Sequence, residues 1–143
     1  MYIKKTKKLK VKDTMLGLKS FPILSEKTIL KEVLEKMSQY GIGIACIIDK
    51  NSKIVGIITD GDIRRKILKI QKPFSALLND DVSRHITKNP STIDLESSLI
   101  NTLKIMLKKR IWDLPVKNKK GRIVGLLHFH SIINNLIKNK IIS

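Results

Sequence analysis

The sequence predicts an α/β (α+β) protein built from two pseudo-symmetric βαββα halves packed sheet to sheet. Three observations predict it. Residues 42–63, IGIACIIDKNSKIVGIITDGDI, and residues 111–132, IWDLPVKNKKGRIVGLLHFHSI, are two versions of one pattern. A shift of 69 positions lays Ile54-Val55-Gly56 on Ile123-Val124-Gly125, Met37 on Met106, Leu34 on Leu103 and Leu30 on Leu99. Within each copy the apolar spacing alternates between helical and extended periods. A repeat too short to close its own core stacks on its copy, and a cleft between two such halves is a natural place for a small ligand.

The elements follow in chain order. Residues 1–9, MYIKKTKKL, read as a solvated basic arm. Repeat 1 spans 10–70, a connector 71–81, and repeat 2 residues 82–140. Val11 to Leu16 is a short apolar turn. Ser25 to Thr28 reads as a helix opening, because Ile29, Leu30, Val33, Leu34 and Met37 keep helical spacing until Gly41. Ala45 to Asp49 is an apolar run suited to a buried strand, Lys50 to Lys53 a hairpin turn, Ile54 to Thr59 the return strand. A helix follows from Asp60 to Ile70. After the connector, which contains Pro73, Val82 to Ile86 is a second apolar turn closed by Pro90. The second copy then repeats the order: a helix carrying Leu99, Leu103 and Met106, a strand over 114–117, a turn over 118–121, a strand over 123–127 and a last helix over 129–138.

Composition narrows the function classes. The net charge of +17 invites a nucleic-acid reading. The cations are 24 Lys and only 5 Arg, spread along the chain, and aromatics are 4%. Arginine, the residue suited to bidentate phosphate and guanine contacts, is scarce, and so are base-stacking rings. Lys, Ile and Asn make up 56 of 143 residues, which an A+T-rich coding bias produces unaided. Dedicated nucleic-acid binding is therefore not the favoured reading. There is no apolar run of 18 residues and no secretory leader at the N-terminus. Cys46 stands alone in an apolar run, which excludes a disulfide framework and fits a buried hydrophobe in a cytoplasmic protein.

The sharpest local signal is Gly56-Ile-Ile-Thr59-Asp-Gly-Asp62-Ile-Arg64-Arg65. Thr59 stands where a strand meets a helix. Its hydroxyl and the unpaired N–H groups of the helix start suit a phosphate. Asp62 suits paired ribose hydroxyls, and Arg64 or Arg65 supplies positive charge. The same Thr-x-x-Asp spacing is also a capping box, worth about 1 kcal/mol. Gly61 at the second helical position costs roughly 1 kcal/mol relative to Ala, which close backbone approach to a ligand would justify. Capping and binding both remain open on these residues.

On these strings the chain resembles tandem CBS domains, the Bateman module of nucleotide sensors. GIITDGDIRR, GLLHFHSII and KNPSTID are closest to the C-terminal CBS pair of arabinose-5-phosphate isomerases, enzymes of Kdo and lipopolysaccharide synthesis; CBS pairs linked to sugar nucleotidyltransferases carry a similar TDGDIRR string. The resemblance covers about residues 9–138. It implies a nucleotide-binding set of Ile58, Thr59, Asp62, Arg64 and Arg65, an adenosine or cytidine ligand (AMP, ATP or a CMP-sugar), a homodimer of CBS pairs, and a sugar-isomerase domain or enzyme as the thing regulated. In the second cleft the pattern is degenerate: His128 stands for Thr59 and Ser131 for Asp62, beside His130 and Pro115. Serine cannot replace a carboxylate against two ribose hydroxyls, so that cleft is expected to be weak, altered or empty. His128 and His130 lack accompanying ligands for a metal site.

No Ser/His/Asp order, paired-carboxylate array or Walker loop appears, and because the repeat begins within the first dozen residues no isomerase domain is expected ahead of it in this chain. The chain is expected to be non-catalytic and to require no cofactor. Three roles are left: a nucleotide-binding regulatory module, a ligand-free oligomerisation module, or a polyanion binder.

Overall fold

The computed structural model describes residues 9–140. The basic arm expected over 1–9 thus lies, but for Leu9, outside the described residues. Over the described residues the chain forms two compact units, 19–90 and 9–18 with 91–140.

In the unit 19–90, β1 (Ile23–Ser25) runs parallel to β2 (Ile44–Ile48). β2 and β3 (Ile54–Thr59) form an antiparallel hairpin with Ile44 opposite Thr59. β4 (Thr87–Lys88) closes the sheet in the order β1-β2-β3-β4. Asp49 shapes the hairpin turn by accepting the N–H groups of Asn51 (2.8 Å) and Lys53 (3.0 Å) through Oδ1, a local alternative to the ladder that Asp and Asn favour. α1 (Leu30–Tyr40) buries Leu30, Val33 and Met37 and stops at Gly41, whose φ of +63° suits a glycine cap. α2 (Asp60–Lys69) follows β3 directly, and a short α3 (Phe74–Leu78) lies in the connector. Leu30, Val33, Met37, Ala45, Ile47, Ile58, Leu77 and Val82 form the core.

The other unit repeats the plan. β5 (Ile93–Asp94) is parallel to β6 (Asp113–Lys117), which pairs antiparallel with β7 (Ile123–His128). Asn118 builds the turn as Asp49 does, accepting from Lys120 (3.0 Å) and Arg122 (3.1 Å). α4 (Leu99–Lys109) and α5 (Phe129–Lys138) bury Leu99, Leu103, Met106, Ile132 and Leu136 against Val11, Leu114, Val116 and Leu127.

The units cut across the repeats. The lead-in of repeat 1 folds with the body of repeat 2: Val11 donates its N–H to Ser97 (2.9 Å), Lys12 to Leu95 (3.0 Å), and Leu16 and Leu126 exchange two backbone bonds (2.8 and 3.1 Å). The lead-in of repeat 2, residues 82–88, folds with the body of repeat 1, where Val82 donates to Thr28 (2.8 Å) and β4 pairs with β3. The repeated glycine makes these crossings possible. A Cβ on Gly56 would lie 2.7 Å from Ile86 Cδ1 and 2.8 Å from the Thr87 carbonyl oxygen; one on Gly125 would lie 2.6 Å from Met15 Sδ and 2.7 Å from the Leu16 carbonyl oxygen.

The expected helix opening at Ser25–Thr28 is corrected. Ile23–Ser25 is a strand, and α1 starts at Leu30 with no side-chain cap. The Asp80 carbonyl accepts the Leu30 N–H (2.9 Å), as the Leu9 carbonyl accepts that of Leu99 (2.9 Å), so a distant segment satisfies what a local cap normally would. Val11–Asp13 and Val82–Arg84 are single 3-10 turns.

Two carboxylates, each with more than one partner, hold the lead-ins in place. Glu96 accepts from Lys10 (2.6 Å) and Lys12 (2.8 Å), and those hydrogen bonds bring its carboxyl down to about 2. The Asp80 carboxylate accepts from Lys72 (2.6 Å) and lies 2.9 Å from His85 Nε2; Lys72 first, then His85, keep it below the usual carboxylate range. His85 is buried and its Nδ1 has no hydrogen-bond partner among the described residues. In the neutral tautomer that donates from Nε2, this atom is a bare lone pair rather than an orphaned donor.

Candidate functional site

The β3–α2 junction is built by its own sequence. Extended residues 54–59 alternate between faces, and Thr59 ends the strand at φ −119°, ψ 165° as the cap residue of α2. Its Oγ1 accepts the Asp62 N–H at 3.2 Å, and Asp62 Oδ2 accepts the Thr59 N–H at 2.9 Å. This is a complete capping box. Asp62 Oδ1 accepts from the Arg65 guanidinium at 2.7 Å, an i,i+3 pair with Arg65 63% exposed and Asp62 17% exposed. The guanidinium folds back over the first turn, where a Cβ on Gly61 would lie 3.2 Å from one of its nitrogens. That arginine is flexible and exposed and can give way, so the contact does not by itself require glycine at position 61.

Thr59, Asp62 and Arg65 are brought together at one helix start. Arg64 lies exposed on the same helix with no side-chain bond among the described residues. Ile58 is not brought to the junction: its side chain is fully buried in the core beside Leu30 and Val33, because strand alternation turns it away from Thr59.

At the β7–α5 junction the chemistry differs. His128 is the cap residue of α5 and makes no side-chain cap bond. Its Nδ1 lies 2.6 Å from Asp113 Oδ1. A ring nitrogen that donates to a carboxylate leaves Nε2 as the acceptor. His130 is exposed, with its ring centroid 6.3 Å from that of His128, and Ser131 is half-buried one turn into the helix. Pro115 is buried in β6 opposite Leu126. Among the described residues no cluster of three His, Cys, Asp or Glu could hold a metal ion, and no helix is long and apolar enough to cross a membrane.

Asp113 escaped the sequence reading. The signal was present: the hairpin register places residue 113 opposite His128, as it places Ile44 opposite Thr59, and an acid at the head of the buried run Leu114–Val116 calls for a partner.

The first junction can thus offer a hydroxyl, a carboxylate and a guanidinium; the second offers an imidazole–carboxylate pair. Three relatives and one solved structure carry related chains. An uncharacterized protein of Helicobacter pylori is 30% identical over 126 residues, 87% of this chain and 36% of that protein. A CBS domain-containing protein of Dictyostelium discoideum is 30% identical over 139 residues, covering 91% of this chain and 94% of that one. Arabinose 5-phosphate isomerase GutQ of Salmonella typhi is 25% identical over 109 residues, 76% of this chain and 32% of the enzyme. The chain spans 36–38% of the length of its bacterial relatives from Helicobacter, Chlamydia and Rickettsia. CBSX2 in complex with AMP shares the fold at a TM-score of 0.79 and 21% identity, over 92% of this chain and 98% of that one. The CBS domain model matches residues 11–69 and 81–138, and on that match, with the βαββα plan present twice, the chain belongs to the CBS domain family as a tandem pair.

Proposed function

We propose that this CBS pair is a non-catalytic regulatory module that binds an adenosine or cytidine nucleotide, or a nucleotide-sugar, through Thr59, Asp62 and Arg65. One observation carries the reading. The capping box uses one oxygen of Asp62 and one lone pair of Thr59, while among the described residues Asp62 Oδ1 is held only by the largely exposed Arg65. Rotation of that guanidinium toward a phosphate opens a carboxylate oxygen to ribose hydroxyls and leaves the helix cap intact. The Thr59 hydroxyl keeps its own proton to donate. The AMP bound by CBSX2 and the enzyme activity of GutQ support the ligand class and the controlled reaction, a sugar-phosphate isomerase step. The ligand acts through its differential affinity for two arrangements of the regulated protein.

The closed capping box also favours a second reading, a ligand-free assembly module in which Thr59 and Asp62 only start a helix. Titration calorimetry with AMP, ATP and CMP-linked sugars separates the two. Under the first reading one of them binds saturably, and Asp62→Asn, which still accepts the Thr59 N–H, weakens it about tenfold to a hundredfold, the range for hydrogen bonds to a charged group. No heat with any of the three, or affinity untouched in Asp62→Asn, leaves the assembly reading. A steep loss of binding with salt and no dependence on Asp62 indicates polyanion attraction instead.

A further inference from the structure

The two hairpin turns share one backbone and differ in charge. In the unit 19–90, Asp49 donates its N–H to the Lys53 carbonyl (2.9 Å), accepts from Ser52 at its own carbonyl (3.1 Å), and accepts from Asn51 (2.8 Å) and Lys53 (3.0 Å) at Oδ1. In the other unit Asn118 makes the same four bonds. Its N–H reaches the Arg122 carbonyl (3.0 Å), its carbonyl accepts from Gly121 (3.0 Å), and its Oδ1 accepts from Lys120 (3.0 Å) and Arg122 (3.1 Å). An amide oxygen replaces a carboxylate oxygen, so the turn geometry does not choose between Asp and Asn.

The charge around the turn does choose. Residues 48–53, IDKNSK, hold two lysines and one acid; residues 117–122, KNKKGR, hold four cations and no acid. Lys117, Lys119, Lys120 and Arg122 are exposed, and none makes a side-chain hydrogen bond or ion pair among the described residues. The lead-in packs beside them: Lys12 donates its N–H to the Leu95 carbonyl, and Leu95 donates to that of Lys117 (3.1 Å). The acids at this end are Asp94, opposite Lys117 in the parallel ladder, Glu96, shared by Lys10 and Lys12, and Asp13, which accepts the Lys10 N–H. Six cations therefore face three acids. Like charges crowded into one turn repel, and an aspartate at 118 would hold the backbone equally well and relieve that repulsion. The chain has asparagine there. A coding bias toward Lys and Asn acts on both copies, yet the first keeps Asp49.

We propose that the β6–β7 turn is a docking point for a partner protein, which lays a carboxylate-rich segment across Lys117, Lys119, Lys120 and Arg122. The types of side chain set the class of partner. Three of the four cations are lysines, whose compact ammonium meets single carboxylates. One arginine and no aromatic ring leave little to read or stack a base, and no apolar side chain in 117–122 is present to enter a lipid surface. The turn lies at the far end of the six-residue β7 from His128, roughly 17 Å along the strand. The contact is independent of the nucleotide reading, because Thr59, Asp62 and Arg65 take no part in it.

The test titrates the full chain into dye-labelled poly-glutamate at fixed salt and reads fluorescence anisotropy. The wild type binds saturably. Lys119→Gln combined with Lys120→Gln weakens binding about tenfold, the loss of two exposed ion pairs. Lys108→Gln combined with Lys109→Gln removes the same charge at the end of α4, before β6 begins, and changes affinity by less than about twofold, since salt screens charges that far apart. Asn118→Asp weakens binding about threefold or more, while its melting midpoint stays at or above that of the wild type. A turn residue with a purely structural role would not lower affinity without lowering stability. The proposal is overturned by absent binding, by equal losses in the two lysine pairs, by Asn118→Asp binding like the wild type, or by Asn118→Asp melting below it. A labelled oligonucleotide, or vesicles rich in phosphatidylserine, that bind more tightly than poly-glutamate with the same dependence on Lys119 and Lys120 overturn it too, and assign the turn to that surface.

Discussion

Replacing Gly125 by alanine tests the exchange of lead-ins between repeats. The added Cβ meets Met15 Sδ at 2.6 Å, the Leu16 carbonyl oxygen at 2.7 Å and Met15 Cγ at 3.0 Å. The methionine side chain can rotate away. The carbonyl cannot, because Leu16 and Leu126 hold each other by two backbone bonds of 2.8 and 3.1 Å. Reaching ordinary van der Waals separation, which begins near 3.4 Å, needs a backbone displacement of about 0.7 Å. Overpacking of this kind costs about 1–3 kcal/mol, and the gain from a stiffer unfolded chain offsets less than about 1 kcal/mol. For a chain of this size the melting midpoint should fall by about 3–10 °C. Differential scanning calorimetry reads the midpoint, and amide exchange at Leu16 and Leu126 locates the damage. Gly17→Ala is the control, since a Cβ there meets nothing within 4 Å. If Gly125→Ala melts with the wild type and with Gly17→Ala, and the Leu16 and Leu126 amides stay protected, the lead-in does not pack as described.

Two further outcomes follow from the same structure. Glu96 is held at about 2 by Lys10 and Lys12. A depressed carboxyl contributes stability that is complete above its ordinary value near 4.5 and is lost as pH falls through that value toward about 2. The melting midpoint of Glu96→Gln should therefore fall less steeply across that acid window than that of the wild type, and equal slopes would remove the ion pairs from the account. Arg110 ends α4 in the left-handed region at φ +56°, where the first copy has Gly41. Arg110→Gly should raise stability by about 0.5–1 kcal/mol, read by urea denaturation; a loss would mean that the arginine side chain does more for the cap than its backbone costs.

The helices, hairpins and repeat were legible because they are local. Leu30, Val33 and Met37, and their counterparts Leu99 and Met106, announce a buried helical stripe whatever surrounds them. Asp49 and Asn118 shape turns within five residues of themselves. The lead-in exchange was not legible, because it depends on contacts some 85 residues apart, such as Lys10 with Glu96. Ser25 and Thr28 imitated a helix opening, while the acceptor for Leu30 came from Asp80, some fifty residues downstream. Gly56 and Gly125 recorded the crossing as a missing side chain, which has many explanations in a sequence and one in space. At the candidate site the motif gave Thr59 and Asp62, but the choice of Arg65 over Arg64 rested on which side of α2 each occupies. Asp113 needed the hairpin register before it could be joined to His128.

Whether Asp62 is only a cap can be argued from the copy that lost it. α5 corresponds to α2, and each helix has 10 residues. α5 has Ser131 in place of the acid, no acid in its first turn and no side-chain cap, yet it keeps the full length. Its buried face, through Ile132 and Leu136, carries it. α2, by contrast, has a complete capping box and no buried residue of its own, so about 1 kcal/mol of capping matters more there. That difference explains Thr59 Oγ1 and Asp62 Oδ2. It leaves Asp62 Oδ1 unexplained, because a cap needs one oxygen and the pair with a largely exposed Arg65 adds little in water. The groups that exceed the requirement of the helix, Asp62 Oδ1 and the Arg65 guanidinium, can serve as an acceptor for hydroxyls and a donor for phosphate, which is what the proposed nucleotide reading asks of them.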